Sequence, residues 1–552
     1  MRNAIIVLML HFSFVLSAET IEVGGIYYSL SSEDKTAGVA KGSQPYTGNV
    51  VIPETVSYEG VDYDVTAVLD YAFTSCKQLT SVIIGDNVKS IGLFAFYGSG
   101  IRKVTIGKSV TIIQEDAFGQ CYSLEEVHVC SLETWCNIVF SVRANPVELA
   151  RHLYVKGELL KNVVIPDNIT DIKPYAFAWC TDLNSVTIRD NVKSIGHYAF
   201  FDTSLRTITI GKSITNIEEN AFSLCNSLEE VHVSNLESWY NITFFSKESN
   251  PVYFANHLYV NGEVLKHLVI PNSVSDIKPF AFAGCADLTL VEVHDGMKSF
   301  GEEAFTDCTA LEEVRVPTLE AWCSIWFSYE TANPVFYAHH LFVNGELLKH
   351  LVIPNSITEI KPNAFVRCTD LNVVETHDGV TNISGSAFGH CSNLTDVGLG
   401  KGIKSIGQFA FVYCQKLTDV YCYSEAVPDI DKWAFRFAGT DGLNIRIQFH
   451  VPEHSFDAYK ARYGAWFKLV PMPSTDVITQ VADGMLTVSN HDGVLTVVGA
   501  EKGTLVSVFT LNGVEMGAAV VKGCTATLTH HIPTGNVAVV KIGGKIMKIM
   551  IN

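Results

Sequence analysis

The sequence is short of positive charge. It has 39 Lys and Arg residues against 58 Asp and Glu, a formal net charge of −19 at pH 7. Binding to nucleic acids and to anionic membranes both require clustered basic residues, so this balance disfavours both kinds of partner. Charged residues make up only 18% of the chain and hydrophobic residues 47%, which excludes a disordered protein. A chain of 552 residues is too long for one compact hydrophobic core, so this length predicts several domains or a repeat array.

Motifs of catalysis and metal binding are missing as well. The sequence has no H-E-x-x-H, G-x-S-x-G, Walker loop or C-x-x-C. Its acidic pairs recur at equivalent places, which is typical of a solvated face, whereas a catalytic pair is needed once. We therefore expect no enzymatic activity, no cofactor and no metal, with glycosidase chemistry by a carboxylate pair as the alternative. The recurring pairs are Glu125-Glu126, Glu229-Glu230 and Glu312-Glu313.

Long hydrophobic runs are absent except at the start. Residues 4–16 are apolar apart from His11 and Ser13, follow Arg2, and lead into Ser17-Ala18. This order predicts a secretory signal peptide over residues 1–18, with a buried first strand as the alternative. No later stretch approaches the ~18 apolar residues of a membrane span. We expect a secreted or cell-surface protein without a span in the mature chain.

What the sequence does have is internal repetition. The dipeptide Ala-Phe recurs twelve times, with short gaps of 22 to 24 residues and three long gaps of 59 or 60. A period near 23 residues predicts the coils of a solenoid, in which each coil buries its apolar side against its neighbours. The phenylalanines are Phe73, Phe96, Phe118, Phe177, Phe200, Phe222, Phe282, Phe305, Phe365, Phe388, Phe411 and Phe435.

Each coil follows one template, which is clearest in residues 270–293. It reads I-P-x-x-V-x-x-I-x-x-x-A-F-x-x-C-x-x-L-x-x-V-x-I. The alternating V-x-I end predicts a short strand, V-x-x-I a second short extended edge, and A-F-x-x-C-x-x-L a single helical or 3₁₀ turn. We therefore predict a β-rich solenoid of about fifteen coils over residues 67–473, with short strands and single helical turns.

This template resembles the BspA-type leucine-rich repeat family of bacterial surface and secreted proteins, over roughly residues 50–467. Residues 25–28 and 58–65 resemble the family's N-terminal β cap, placed here at 19–66, and residues 449–467 resemble its closing coil. The resemblance implies a curved leucine-rich repeat solenoid on a bacterial cell surface or in secretions, used for adhesion and protein binding to host proteins or other cells.

The three long gaps contain enlarged coils, near 130–159, 234–264 and 317–347. Each has Leu-Glu-x-Trp, then Asn-Pro, then Gly-Glu. Insertions in repeats usually lie on one face, often the binding face, so we expect part of each enlarged coil to project. The aligned Trp135, Trp239 and Trp322 either fill the oversized coil or form exposed contacts.

The other aromatic residues of the enlarged coils are the candidate partner-binding residues. Exposed aromatic rings suit protein hot spots or stacking on sugars, whereas buried ones would only fill the coil. We expect at least partial exposure and a role in binding extracellular proteins or cell-surface glycans. The candidates are Tyr253, Phe254, Phe336, Tyr337 and Trp326.

Fourteen cysteines in a secreted chain invite a disulfide interpretation. Nine of them, however, stand three residues after the repeated Phe, where other repeats have Ser99, Thr203 or Ala438. A site that accepts these residues predicts a small buried side chain, and therefore a column of unpaired thiols. Pairs such as Cys368 with Cys391, or Cys130 with Cys136, are the alternatives.

The histidines are expected to face solvent rather than to bind a metal ion. His152, His257 and His340 recur at one position of the enlarged coils and are too far apart to share one metal ion. His128 and His232 alternate with inward valines and should point outward.

The tail, residues 474–552, predicts a small β-sandwich of six or seven strands. It resembles the C-terminal sorting domains of type IX secretion in the stretch from Val506 to Gly513, in Pro533-Thr534-Gly535, and in the last strand from Lys545 to Lys548. It departs from them at Asn536, where that family favours Tyr.

The function expected from these features is non-enzymatic adhesion by a monomer. The alternatives are glycan capture by the aromatic residues of the enlarged coils, and a structural spacer that holds the tail away from the cell envelope.

Overall fold

The computed structural model describes residues 20–439 and 447–472 and, in the tail, residues 479–480, 487–491, 494–498, 500, 502–510, 515–522, 525–529, 537–542 and 545–550. The expected signal peptide (1–18) and the motif Pro533-Thr534-Gly535 lie outside these residues. The chain divides into two compact units, Met1–Val264 and Leu265–Asn552. No helix in the described ranges is long and apolar enough to span a membrane.

Each regular coil contributes one longer and one two-residue strand, both parallel to those of the next coil. In the longer strand Lys103–Ile106, Val104 and Ile106 are buried and Thr105 faces outward, as the alternating V-x-I pattern predicts. In the short strand Ser90–Ile91 only Ile91 is buried. The template thus produces two kinds of parallel sheet, one built from the longer strands and one from the two-residue strands. The apolar side chains lie between the two kinds of sheet.

The Ala-Phe segment joins the two strands by consecutive tight turns. In the first coil, Ala72, Thr74 and Cys76 donate their N–H to the carbonyl three residues earlier, which is the 3₁₀ pattern that the spacing predicts. The intervening N–H groups of Phe73 and Ser75 donate instead to Ala95 and Tyr97 of the next coil, at 2.6 and 2.8 Å. These alternating bonds prevent a continuous helix and tie successive coils together.

The N-terminal unit begins with a β cap that continues into the repeats. Thr20–Val23, Ile26–Ser31 and Thr36–Val39 are antiparallel, and Thr55–Tyr58 is antiparallel to Val61–Val68. Val61–Val68 runs parallel to Thr36–Val39 on one side and to the first two-residue strand, Ser90–Ile91, on the other. The first short-strand sheet continues with Ile112–Ile113 and Val139–Phe140.

Three more sheets complete the N-terminal unit. The first long-strand sheet comprises Gly48–Val51, Leu79–Ile83, Lys103–Ile106, Glu126–Val129, Leu153–Val155 and Glu158–Leu159. The second comprises Asn162–Val164, Ser185–Thr187, Thr207–Ile210, Glu230–Val233, Leu258–Val260 and Glu263–Val264. The second short-strand sheet comprises Asp171–Ile172, Ser194–Ile195, Asn216–Ile217 and Thr243–Phe244.

The C-terminal unit repeats this plan. Its long-strand sheets are His267–Val269, Leu290–Glu292, Glu313–Val316, His340–Val343 and Glu346–Leu347, then His350–Val352, Val373–Glu375, Asp396–Leu399, Asp419–Cys422, Gln448–Pro452 and Lys468–Met472. Its short-strand sheets are Asp276–Ile277, Ser299–Phe300 and Trp326–Phe327, then Glu359–Ile360, Asn382–Ile383, Ser405–Ile406 and Asp429–Ile430.

The described helices are short and lie in the enlarged coils and at the end of the repeats. The α-helices are Leu132–Asn137, Val147–Ala150, Leu236–Asn241, Val252–Ala255, Leu319–Ser324, Val335–Ala338 and Phe456–Tyr463. The 3₁₀ helices are Lys247–Ser249, Glu330–Ala332 and Glu453–Ser455. In the closing coil, the hydroxyls of Tyr459 and Tyr463 donate to the carbonyls of Ser424 and Pro428.

The repeated phenylalanines form the core of each unit. Phe73, Phe96 and Phe118 are fully buried and stack with ring centroids 4.9 and 5.0 Å apart. In the C-terminal unit, Phe282 and Phe305 stack at 5.7 Å. Each regular coil buries one such Phe together with its Ile, Val and Leu side chains, and this burial stabilises the repeat.

The described residues of the tail form two four-stranded antiparallel sheets. Buried residues of both, such as Val497 and Val508, share one apolar cluster, as in a β-sandwich. The eight described strands exceed the six or seven predicted, because a two-residue strand is too short to show alternation and a strand containing Gly517-Ala518-Ala519 has weak β propensity. The strands are Thr479–Gln480, Thr487–His491, Val494–Val498 and Thr525–Thr529 in one sheet, and Leu505–Thr510, Glu515–Val520, Val537–Ile542 and Lys545–Met550 in the other.

Candidate functional site

Each enlarged coil opens with a capped six-residue helix. In the first, the side chain of Ser131 accepts the N–H of Thr134 at 3.1 Å. Asn235 and Thr318 cap the other two helices in the same way. Such caps satisfy N–H groups that a helix start leaves free, so even a six-residue helix is well defined here.

The aligned tryptophans fill the enlarged coils. Trp135, Trp239 and Trp322 are fully buried. The indole of Trp135 donates a hydrogen bond of 2.6 Å to the carbonyl of Ala176, and that of Trp322 donates one of 2.8 Å to Ala364. Of the two roles left open by the sequence, the buried one is correct for these three residues.

The Asn-Pro pairs have a structural role that the sequence analysis missed. Asn145 is buried; its Nδ2 donates to the carbonyl of Tyr175 at 2.8 Å, and its Oδ1 accepts the N–H of Val147 at 2.9 Å. Asn333 makes the equivalent bonds to Asn363 and Val335. The recurrence of Asn-Pro in all three enlarged coils could have indicated this structural role.

Each enlarged coil ends in a hairpin that terminates its long-strand sheet. Lys156 and Gly157 both have positive φ, which fits a type I′ turn between Leu153–Val155 and Glu158–Leu159. Asn261-Gly262 and Asn344-Gly345 repeat this geometry. The glycine of each Gly-Glu pair thus lies in a tight turn, and residues 156–158 at the tip of the first hairpin are exposed.

The candidate aromatic pairs lie half-buried on four-residue helices. Tyr253 and Phe254 meet edge to face, with centroids 5.3 Å apart, and the Nζ of Lys247 lies 5.2 Å from the Tyr253 ring. Phe336 and Tyr337 meet at 5.1 Å. The partial exposure predicted for these four residues is present.

The second pair has further polar contacts. The guanidinium of Arg367 lies 3.9 Å from the centroid of Phe336. The hydroxyl of Tyr337 is 3.1 Å from that of Thr306, and burial raises the pKa of Tyr337. Sequence reasoning missed the contact with Arg367, which lies 31 positions from Phe336.

The first enlarged coil has the same backbone without the aromatic pair. Its helix Val147–Ala150 carries Glu148 and Leu149 at these positions. Like the helices Val252–Ala255 and Val335–Ala338, it starts at a proline and ends at a left-handed residue. The coil therefore does not need aromatic residues there in order to fold.

Trp326 is the most exposed candidate. Its side chain is 51% exposed and lies on the outward position of the strand Trp326–Phe327, which pairs with Ser299–Phe300. Val139 and Thr243 occupy the equivalent position in the other enlarged coils. Nearby in sequence, Tyr329 is 57% exposed.

Four of the histidines singled out in the sequence lie against carboxylates or aromatic rings. His128 and His232 are half-buried on the outward side of their strands and stack on Tyr154 and Tyr259. The Nδ1 of His152 lies 2.6 Å from Asp182, and that of His340 contacts Asp370 at 2.5 Å. Over the part of the chain that the structure describes, no group of three or more His, Cys, Asp or Glu could hold a metal ion.

All thirteen described cysteines are free, including Cys130 and Cys136, so the disulfide alternatives do not hold for them. The nine cysteines of the repeat column are buried. The Cys391 thiol donates to the carbonyl of Phe365 in the preceding coil at 3.1 Å, and Cys121 donates likewise to Phe96 at 2.9 Å. Burial raises the pKa of the column thiols, for example that of Cys225 to about 11.

A shallow, open groove of the N-terminal unit is lined by polar residues, among them Asp182, Asn184, Arg206 and Glu229. Its charged groups already have partners. Arg206 forms an ion pair of 2.6 Å with Glu229, and Asp182 contacts His152. The groove therefore offers a polar surface rather than an activated catalytic group.

A protein-family model described as "BspA type Leucine rich repeat region (6 copies)" matches residues 56–143, 148–264, 254–331 and 338–461. These matches together cover more than half of the chain. A comparison with curated proteins found no match.

Several solved structures are similar at low identity. A leucine-rich repeat protein from Bacteroides ovatus is 21% identical, with 80% of this chain and 100% of that one covered and a TM-score of 0.42. A leucine-rich cell surface protein from Faecalibacterium prausnitzii is 21% identical, with 77% and 99% covered and a TM-score of 0.33. The pneumococcal vaccine antigen PcpA is 16% identical, with 84% and 99% covered and a TM-score of 0.32.

Proposed function

The chain belongs to the BspA-type leucine-rich repeat family, and we propose that it is a non-enzymatic binding protein of the bacterial cell surface or secretions. It would contact host-matrix proteins or other cells through the exposed surface of its repeats, as a monomer. The signal peptide expected over residues 1–18 would export it. The tail, residues 474–552, would act as a sorting domain like those of type IX secretion.

One observation carries the proposal of a binding role for the enlarged coils. The same four-residue helix carries an aromatic pair in two coils and Glu148-Leu149 in the first. Since the fold tolerates both, folding alone does not account for two half-exposed aromatic side chains at one place. Aromatic residues are enriched at the cores of protein interfaces, and Tyr is among the residues that most often carry the binding energy.

Recurring similar sites suit a repetitive partner. Weak contacts that are linked in one chain gain avidity without any single strong contact. Tyr253 and Phe254 in one unit, and Phe336, Tyr337 and Trp326 in the other, are the residues proposed to make these contacts.

Glycan capture is the second candidate function. The half-exposed indole of Trp326 supports it, because an exposed aromatic ring can stack on the apolar face of a sugar. The equivalent Thr243 offers no such ring.

The experiment is to apply the purified chain to an array of host-matrix proteins and to a glycan array. Binding to the protein array that weakens when Tyr253, Phe254, Phe336 and Tyr337 are replaced supports the proposed role. Binding to glycans alone, reduced by Trp326→Thr, supports the second candidate. Absence of binding on both arrays contradicts both and favours the spacer.

A further inference from the structure

The pairing of the arginines singles out one edge of the C-terminal unit. Of the nine arginines that the structure describes, seven form an ion pair with a carboxylate. The other two, Arg367 and Arg436, lie against aromatic rings instead. The chain has a net charge of −19, so carboxylates are plentiful. Two arginines on one edge that nevertheless have no carboxylate partner among the described residues are therefore candidates for binding an anionic ligand.

Both arginines belong to a stripe of side chains on the turn segments. Four consecutive coils place a residue with left-handed φ two positions after the repeated Phe: Arg367, His390, Tyr413 and Phe437. The rings of His390 and Tyr413 stack at 4.8 Å, and those of Tyr413 and Phe437 at 4.9 Å. We call these four residues and Arg436 the turn-edge stripe.

At each end of the stripe an arginine lies on an aromatic ring, which is Phe336 of the enlarged coil at one end and Phe437 of the stripe at the other. Arg367 lies 3.9 Å from the Phe336 centroid, and Arg436 lies 4.7 Å from that of Phe437. Within the stripe, the rings of His390, Tyr413 and Phe437 stack on one another, so that Tyr413 has a ring on each side. The edges of aromatic rings carry partial positive charge, so a stack that presents its edges attracts anions rather than the apolar face of a neutral sugar.

The arginines are separated along the stripe. Arg367 and Arg436 stand three coils apart, which at ~4.8 Å per coil is about 14 Å. The two guanidinium groups therefore cannot bind the same carboxylate. An elongated ligand with an anionic group at intervals fits this separation. A guanidinium held on a ring keeps N–H donors for such a group.

The backbone along the stripe is not available to a peptide. The N–H groups of Arg367, His390 and Tyr413 already donate to the next coil, at 2.8, 2.7 and 3.1 Å. Addition of a peptide strand needs free N–H and C=O groups at a sheet edge. Between the arginines, the hydroxyl of Tyr413, whose residue is 40% exposed, and the ring of His390 can instead meet hydroxyl groups.

We propose that the turn-edge stripe binds a linear acidic polysaccharide, whose carboxylate or sulfate groups contact Arg367 and Arg436 and whose hydroxyls contact Tyr413 and His390. At one end this site adjoins the aromatic pair of Phe336 and Tyr337, because Arg367 lies on the Phe336 ring. Its ligand and its test do not depend on the function proposed above. Exposed Lys432, next to Trp433, adds a third cation at the same end as Arg436.

The test is calorimetric titration of the full chain with heparin, which carries sulfate and uronate groups. Uncharged dextran and polyglutamate are titrated in parallel. The double variant Arg367→Gln/Arg436→Gln removes both proposed contacts. The control Arg102→Gln/Arg206→Gln makes the same change in net charge at exposed arginines that are already paired.

We expect heparin to bind, dextran not to bind, and binding to weaken as salt is added. The Arg367/Arg436 variant should bind heparin at least about tenfold more weakly, since two charge-assisted hydrogen bonds are lost, and the control should bind as the unaltered chain does. If the double variant does not fold, as judged by thermal melting, the single change at exposed Arg436 should still weaken binding by about threefold.

Three results would overturn the proposal. Heparin does not bind, the control weakens binding as much as the double variant does, or polyglutamate binds as tightly as heparin. The last result would identify the stripe as a site for acidic peptides.

Discussion

The indole Nε1 of Trp135 donates a 2.6 Å hydrogen bond to the carbonyl oxygen of Ala176, 41 residues later. Ala176 is the alanine of the next Ala-Phe pair. Trp322 and Ala364 repeat this relationship in the C-terminal unit at 2.8 Å. The buried tryptophan thus both fills the enlarged coil and attaches it to the following regular coil.

The first prediction concerns this bond. Trp135→Phe keeps an apolar ring but leaves the carbonyl of Ala176 without the indole donor, so unfolding free energy should fall by about 1–3 kcal/mol, plus the cost of the unfilled volume. Denaturant unfolding of the full chain measures the change. The control Trp326→Phe, at an exposed site, should lie within about 0.5 kcal/mol of the unaltered chain. Equal effects of the two changes would contradict the assigned role.

The second prediction concerns the phenylalanine column. Phe282 is fully buried and stacked on Phe305, so Phe282→Ala should cost about 3 to 5 kcal/mol. Because each coil contacts only its neighbours, hydrogen exchange should rise in the adjacent coils and stay unchanged in the strands of the tail. An equal rise in the tail would show that the damage is global.

The third prediction concerns the thiols. Thiol titration in denaturant without reductant should find the thirteen described cysteines free. On the native protein, Cys130 should react quickly because it is exposed, whereas the buried column should be nearly inert. Cys130→Ser should remove the fast phase. Recovery of six or seven disulfides would refute the thiol column.

The fourth prediction concerns alkaline pH. Burial raises the pKa of Cys136 and Cys323 to about 12, above the ordinary value of 9.0. Since the unfolded chain releases these protons first, their contribution to stability is complete below pH ~9 and is lost as pH rises toward 12. Denaturant unfolding between pH 8 and 11 measures this loss. Cys136→Ala/Cys323→Ala should show a smaller decline with pH; an unchanged slope would contradict the assignment.

The fifth prediction concerns the aromatic pairs. Replacing Tyr253, Phe254, Phe336 and Tyr337 by Ser should weaken partner binding while changing the melting temperature little, because these side chains are only half-buried. A matched control installs the residues of the first enlarged coil, Glu and Leu, on the same backbone. It should also melt normally and bind weakly. A large drop in melting temperature would mean that the pairs belong to the core.

The repeat itself was predictable because every regular coil buries equivalent side chains against its neighbours. The Ala-Phe spacing located the core phenylalanines, and the exchange of Cys for Ser99 or Thr203 showed that the column holds small buried side chains. In each case many equivalent positions show the same residue preference. The local pattern was therefore sufficient to predict the fold and the burial of the unpaired thiols.

Only the tertiary structure separated Trp322 from Trp326. They stand four residues apart, yet one is buried on a helix and the other faces outward from a two-residue strand. The same holds for Arg367 on Phe336 and for the stack of His390 on Tyr413. These contacts depend on how coils of unequal length are aligned with one another. They also depend on the residues with left-handed φ in the turn segments, which set the direction of the side chains. The sequence by itself therefore determined the coil and its core, whereas the surface chemistry was decided by the register between coils, which no single coil encodes.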